Sequence, residues 1–177
     1  MRRRIQTAMV LFLGLSTTYA AEPSKKEVKR LAEKVAKATI EGDAETIVDL
    51  SYPGLVKLIG GRKEMIEFTR AAIEQLRDEG DAFKKFEVKE PQTFYTEGAN
   101  TFIVVPTRFE MMVSKKTVAG ESYLLAISSD QGKTWTFLDG SGMHHKEFRK
   151  KILPKLPEKL ILPELSKPMV IEDEPSD

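Results

Sequence analysis

The sequence predicts an α+β fold: three N-terminal helices packed on a curved antiparallel meander sheet, cone-like, with a proline-rich C-terminal extension. Three observations predict it. Apolar residues recur at helical spacing from Val28 to Leu76. From Phe83 onward the period changes to two, with turn residues between the runs. Helices that precede a run of strands in this order must cover one face of the sheet.

The chain opens with Arg2, Arg3 and Arg4, a short apolar run from Ala8 to Leu15, and small residues ending at Ala20 and Ala21. That is the layout of a secretory signal peptide over residues 1–21, and its apolar run is too short to span a bilayer. The mature chain is therefore expected to be exported, periplasmic or extracellular. Taking the three signal arginines from the 28 basic residues leaves 25 against 27 acidic ones, a net charge near −2. Such a balance argues against nucleic acid as a partner, whose binding rests on a basic patch. With no cysteine, the chain has neither thiol chemistry nor disulfides, and its stability must come from a hydrophobic core.

Ser24-Lys25-Lys26-Glu27 has capping-box spacing and opens the first helix, along which Val28, Leu31, Ala32, Val35, Ala38 and Thr39 recur until Gly42 ends it. Asp43 caps a second helix with Ile47, Val48 and Leu50, which stops before Pro53. A short apolar turn from Leu55 to Ile59 leads to Gly60-Gly61. The third helix then runs from Arg62 to Gly80, carrying Met65, Ile66, Phe68, Thr69, Ala72, Ile73 and Leu76.

Phe86 and Val88 alternate with charges, Pro91 interrupts, and Phe94-Tyr95 precede a turn at Glu97-Gly98-Ala99-Asn100. In the following strand Ile103, Val105, Phe109, Met111 and Val113 share one face; Phe102 and Val104 share the other with Arg108 and Glu110. Pro106, inside that strand, is expected to mark a bulge or an unpaired position. Lys115-Lys116 turn the chain into the strand carrying Tyr123, Leu125 and Ile127.

The next hairpin decides the faces, because a one-residue slip reverses every side chain. A two-residue loop at Gln131-Gly132 would set Trp135 opposite Ser128 and split the apolar residues over both faces. A three-residue loop of Asp130, Gln131 and Gly132 instead pairs Ile127 with Trp135, Leu125 with Phe137 and Tyr123 with Asp139, gathering them on one. That loop needs a left-handed residue, and Gly132 supplies it. The spacing Ser128, Asp130, Gly132, Thr134, Trp135 resembles the Asp-box of sialidase-type propellers, where it is a turn device away from the active site. Here it occurs once, in a chain too short for a propeller, and implies turn chemistry with no sialidase activity.

Gly42-Asp43 between the first helices, Tyr52-Pro53 after the second, Gly60-Gly61-Arg62 before the third, and the long strands behind them give a further resemblance. Over most of Glu27 to Asp139 the chain resembles the nuclear transport factor 2-like superfamily, which includes ketosteroid isomerase-like and polyketide-cyclase-like proteins. The resemblance implies a cone with a pocket between sheet and helices. It does not choose an activity, since the superfamily holds isomerases, dehydratases, cyclases, carriers and dimerisation modules.

Residues 22–145 are thus expected to form the domain, residues 146–168 a basic, proline-rich extension that wraps it, and residues 169–177 a disordered acidic tail. The expected pocket lining is Tyr123, Leu125, Trp135, Phe137, Phe109 and Met111. Asp139, Tyr123 and His144 are the catalytic candidates, because a carboxylate in an apolar lining has its pKa raised and can act as a base. The bland alternative is that Tyr123 packs in the core with its hydroxyl bonded to Asp139, or that Asp139 caps the turn Gly140-Ser141-Gly142. His144 and His145 are adjacent and lack an evident third ligand, so no metal is expected. No phosphate loop, nucleophile elbow or zinc-helix motif occurs, and no cofactor is expected.

The leading expectation is an exported non-enzymatic domain that binds a small apolar ligand or a protein partner. The alternatives are a cofactor-free isomerase- or dehydratase-like enzyme, and a homodimer joined through an outer sheet face of Phe102, Val104, Met112 and Leu124.

Overall fold

The structure, a computed structural model, describes residues 23–153 and 155–171. The signal peptide expected over residues 1–21, and residues 172–177 of the expected acidic tail, lie outside the described residues. The class is α+β, with helices preceding an antiparallel sheet of six strands.

Helix α1 (Lys25–Glu41) starts at Ser24, whose Oγ accepts from the Glu27 amide at 3.4 Å. Only half of the capping box forms, because the Glu27 carboxylate turns to Arg30 at 2.6 and 2.8 Å. Val28, Ala32 and Val35 lie on its buried stripe, and Gly42, at φ 74°, ends it in the left-handed conformation. Asp43 caps α2 (Ala44–Asp49) by accepting from the Thr46 amide at 3.0 Å. The stretch expected to be a turn at Leu55 to Ile59 is helical: α3 covers Pro53–Ile59, with proline at the first position, where an amide has no helical partner. Among the described residues four α-helices therefore precede the sheet where the sequence predicted three, the fourth being α4 (Arg62–Asp78).

The strands are β1 (Ala82–Val88), β2 (Tyr95–Glu97), β3 (Asn100–Val113), β4 (Lys116–Ser128), β5 (Thr136–Asp139) and β6 (Met169–Val170). Their order is β1-β3-β4-β5, with β2 also pairing with β3 and β6 with β4. Met169 and Val170, read in the sequence as the start of the tail, are thus sheet residues, and the Ile171 amide donates to the Thr117 carbonyl at 2.9 Å.

Strands β3 and β4 form an unbroken ladder of thirteen pairs, Thr101↔Ser128 to Val113↔Lys116. Ser114 and Lys115, at φ 49° and 66°, turn the chain one residue earlier than expected. Pro106 pairs with Tyr123 inside the ladder without a shift. Its carbonyl accepts from Lys89 on the other side, just beyond the last β1 pair, Val88↔Thr107, so its missing amide falls where β1 gives out. The bulge expected at Pro106 lies in β1 instead, between Phe83 and Lys85. The extra residue, Lys84, lets Phe83 and Phe86 face the same way despite their odd spacing.

The β4–β5 register corrects the hairpin. Leu124 pairs with Asp139, Leu125 with Leu138, Ala126 with Phe137 and Ile127 with Thr136, one residue away from the expected pairing. The expectation assumed one apolar face, whereas both faces of this sheet are buried. Ile103, Val105, Leu124, Ala126, Trp135 and Phe137 pack with Val28, Ala32 and Val35 of α1. On the other face Phe102, Val104, Tyr123, Leu125, Ile127 and Leu138 pack with Met143, Ile152 and Leu160. Ile152 belongs to α5 (Lys146–Ile152), and Leu156, Leu162 and Leu165 of the irregular chain beyond it lie against the same cluster. Strands covered on both faces lose the apolar-in, polar-out alternation on which the one-face argument relied.

The premise of an outer-face dimer is corrected by the same packing. Phe102 and Val104 are 0% and 1% exposed beneath the chain's own C-terminal segment, and Leu124 belongs to the helix-covered face.

Thr107, 1% exposed, has the one buried side-chain polar atom without a hydrogen-bond partner among the described residues. A desolvated, unpaired hydroxyl is destabilising, and replacing it with a methyl removes that cost. Thr107→Val is expected to stabilise the fold by about 1 kcal/mol in urea unfolding.

Candidate functional site

A cavity of about 360 Å³ lies between the helices and the α1-facing side of the sheet. Val35 and Thr39 of α1, Ile47, Leu50 and Ser51 of α2 and its exit, Leu55 of α3 and Met65 of α4 form the helical wall. Phe83, Phe86, Leu124, Phe137 and Asp139 form the sheet wall. The β1 bulge brings both phenylalanines to it. The two walls are joined at one edge, where the Phe137 amide donates to the Leu50 carbonyl at 2.7 Å and the Tyr52 amide to the Phe137 carbonyl at 2.9 Å. This short parallel bridge, Ser51↔Phe137, holds the α2 exit against β5.

Three polar side chains reach the lining. Thr39 Oγ1 donates to the Val35 carbonyl at 3.0 Å, and Ser51 Oγ to the Ile47 carbonyl at 2.8 Å, each bonding back along its own helix. Asp139 is exposed and so stands at the edge of the cavity; one carboxylate oxygen accepts from the Ser141 amide at 2.7 Å, capping the 3₁₀ turn Gly140–His144.

The sequence-derived site residues do not converge. Asp139 and Phe137 line the cavity. Tyr123 and Leu125 belong to the opposite face, since Tyr123 pairs with Pro106 and Leu125 with Val104. The expected Tyr123/Asp139 pair is therefore absent, displaced by the one-residue register difference. Tyr123 is 1% exposed, with Gly140 so close that a Cβ there would lie 2.6 Å from its ring. Trp135 packs in the α1-side core, its ring 5.7 Å from Phe94 and its Nε1 donating to the Gly132 carbonyl at 3.1 Å. Phe109 covers Gly120 and meets the Phe83 ring edge-on at 6.1 Å; neither it nor Met111 lines the cavity. The His144 side chain lies outside the described residues, and His145 is exposed. No group of three His, Asp or Glu side chains that could hold a metal occurs among the described residues.

The helical wall was missed by sequence reasoning. Val35, Ile47 and Leu50 were read as core stripe, and periodicity carries no signal that separates a core position from a cavity wall.

The Asp-box turn is a closed hydrogen-bond unit. Asp130 accepts from Ser128 Oγ at 2.7 Å, from the Thr134 and Lys133 amides at 2.9 and 3.1 Å, and from Thr134 Oγ1 at 2.7 Å. Ser128 Oγ in turn accepts from the Gly132 amide at 2.7 Å, and Gln131 and Gly132 are left-handed at φ 63° and 89°. Bonds from the Thr134 amide, and from Ser128 and Thr134 side chains, hold the Asp130 carboxyl down at about 2.

The site is thus an apolar cavity with a carboxylate at its edge, in an α+β fold. No family model matches the chain, and none of the curated proteins compared with it matches either. No helix among the described residues is long and apolar enough to cross a membrane.

Two pH dependences follow from these environments. Burial pushes the Tyr123 hydroxyl up to about 12, so the folded state keeps a proton that the unfolded state releases near 10. Stability should fall by about 2–3 kcal/mol as pH rises from 10 to 12, and Tyr123→Phe should flatten that fall in alkaline urea titrations. Asp130 behaves oppositely: its contribution is complete above the ordinary carboxylate range and is lost as pH falls through about 2. Carboxyl carbon chemical shifts should show it titrating last among the aspartates.

Proposed function

We propose that the chain is an exported domain of the nuclear transport factor 2-like superfamily that binds a small apolar ligand in its cone, between helices and sheet. The cavity carries this reading. At about 360 Å³, with nine apolar lining side chains against three polar ones, it has the size and character of a small-molecule site, where a few polar groups orient a mostly apolar ligand. Export rests on the N-terminal pattern of arginines, apolar run and small residues.

The acid/base alternative has less support. It needed Tyr123 beside Asp139, and these residues occupy opposite faces of the sheet. Asp139 instead caps the 3₁₀ turn, the blander role that its position before Gly140-Ser141-Gly142 suggested. The outer face offered to a second copy is occupied by Ile152 of α5 and the leucines beyond it.

Native mass spectrometry of the protein purified from its own exported fraction tests the reading. The expected result is extra mass that leaves on denaturation. Thr39→Phe, which fills the cavity from α1, should abolish that mass while leaving the circular dichroism spectrum unchanged. A bare wild-type spectrum, together with no added small molecule binding in a way that Thr39→Phe blocks, would refute the proposal.

A further inference from the structure

The polar edge of the cavity is one-sided in its hydrogen-bonding chemistry. A hydroxyl has a single proton to give, and Thr39 and Ser51 have each given theirs to a helix carbonyl. What these two side chains can still offer to the cavity is oxygen lone pairs. The Asp139 carboxylate is acceptor-only: one of its oxygens takes the Ser141 amide, and the other takes no hydrogen bond from the described residues. The remaining lining residues are Val, Ile, Leu, Met and Phe, with no Lys, Arg, His, Asn or Gln among them. The cavity therefore holds three acceptors and no side-chain donor.

Such a site discriminates by the sign of the ligand's polar end. A hydroxyl or ammonium finds an acceptor waiting. A carboxylate finds only lone pairs and a like charge, and would surrender its hydration without a donor to replace it. The exposure of Asp139 helps a cation, which can meet the carboxylate while staying partly hydrated at the cavity edge. The same exposure screens the attraction, so the preference is modest in size.

We infer that the cavity selects ligands with an apolar body ending in a hydrogen-bond donor, ammonium before alcohol, and turns carboxylates away. This rests on the ligand-binding reading above and adds the chemical class of the ligand to it. Asp139 is the selecting residue, with Thr39 and Ser51 as secondary acceptors deeper in the helical wall.

Tryptamine, tryptophol and indole-3-acetate share a ring system and differ in the terminal group, so they isolate the point at issue. Their dissociation constants for the full mature chain at pH 7 are measured by ligand-observed NMR, with Thr39→Phe defining binding outside the cavity. The expected order is amine, alcohol, acid, with the amine ahead of the alcohol by about fivefold, the scale of a screened charge contact. Asp139→Asn keeps an oxygen for the Ser141 amide, since asparagine caps as well as aspartate, and removes the charge. It should bring the amine level with the alcohol without changing the melting temperature by more than a few degrees. Equal binding of all three, or preference for the acid, would overturn donor selection and leave the cavity reading standing. Binding of none of them to the wild type, or binding that survives Thr39→Phe unchanged, would overturn donor selection too, and the cavity reading falls with it where the native mass spectrum is also bare.

Discussion

The thirteen-pair β3–β4 ribbon, buried on both faces, is the constraint from which the rest of the structure follows. A long antiparallel ribbon is marginal by itself, because its side chains on each face need a partner layer before their burial outweighs the entropy of ordering it. Here two different parts of the chain supply those layers. Helix α1 covers Ile103, Val105, Leu124 and Ala126, while α5 and the leucines after it cover Phe102, Val104, Leu125 and Ile127. At about 1.5–3 kcal/mol for each large side chain removed from water, neither layer is dispensable. The C-terminal segment is thus part of the core rather than an appendage to it.

The two layers do different work. On the C-terminal side the packing is filled, with Tyr123 pressed on Gly140 and Phe102 fully buried. On the helical side the layer is tight at one end, where Val28 and Ala32 meet the sheet, and opens toward α2, α3 and α4 into the cavity. Small residues on α1 permit close approach at the first end. At the other, the bridge between Leu50, Tyr52 and Phe137 ties the helices to β5 by main-chain hydrogen bonds. The wall there is set by backbone geometry, so its side chains can line a space without having to fill it.

The Asp-box turn shows why local chemistry was legible while register was not. Ser128, Asp130, Gly132 and Thr134 satisfy one another within seven residues, so their spacing alone announces the turn. The same spacing is compatible with strands leaving the turn in either of two registers. The choice between them was made by the outer cover, which lies in residues 143 to 165, well beyond the hairpin.

By itself the sequence determined the α+β class, the caps at Ser24, Gly42 and Asp43, the presence of a turn with a left-handed Gly132, and the facing of β3 on both sides of Pro106, because each depends on neighbours a few residues away. Only the tertiary structure decided that both faces of the sheet are buried, that Tyr123 and Asp139 part company, and that the bulge sits in β1. It also decided that Thr39, Ser51 and Asp139 meet at one cavity. The physical reason is that faces, registers and cavities are properties of which distant segment arrives to cover a surface, and alternation along a strand reads the same whichever segment comes.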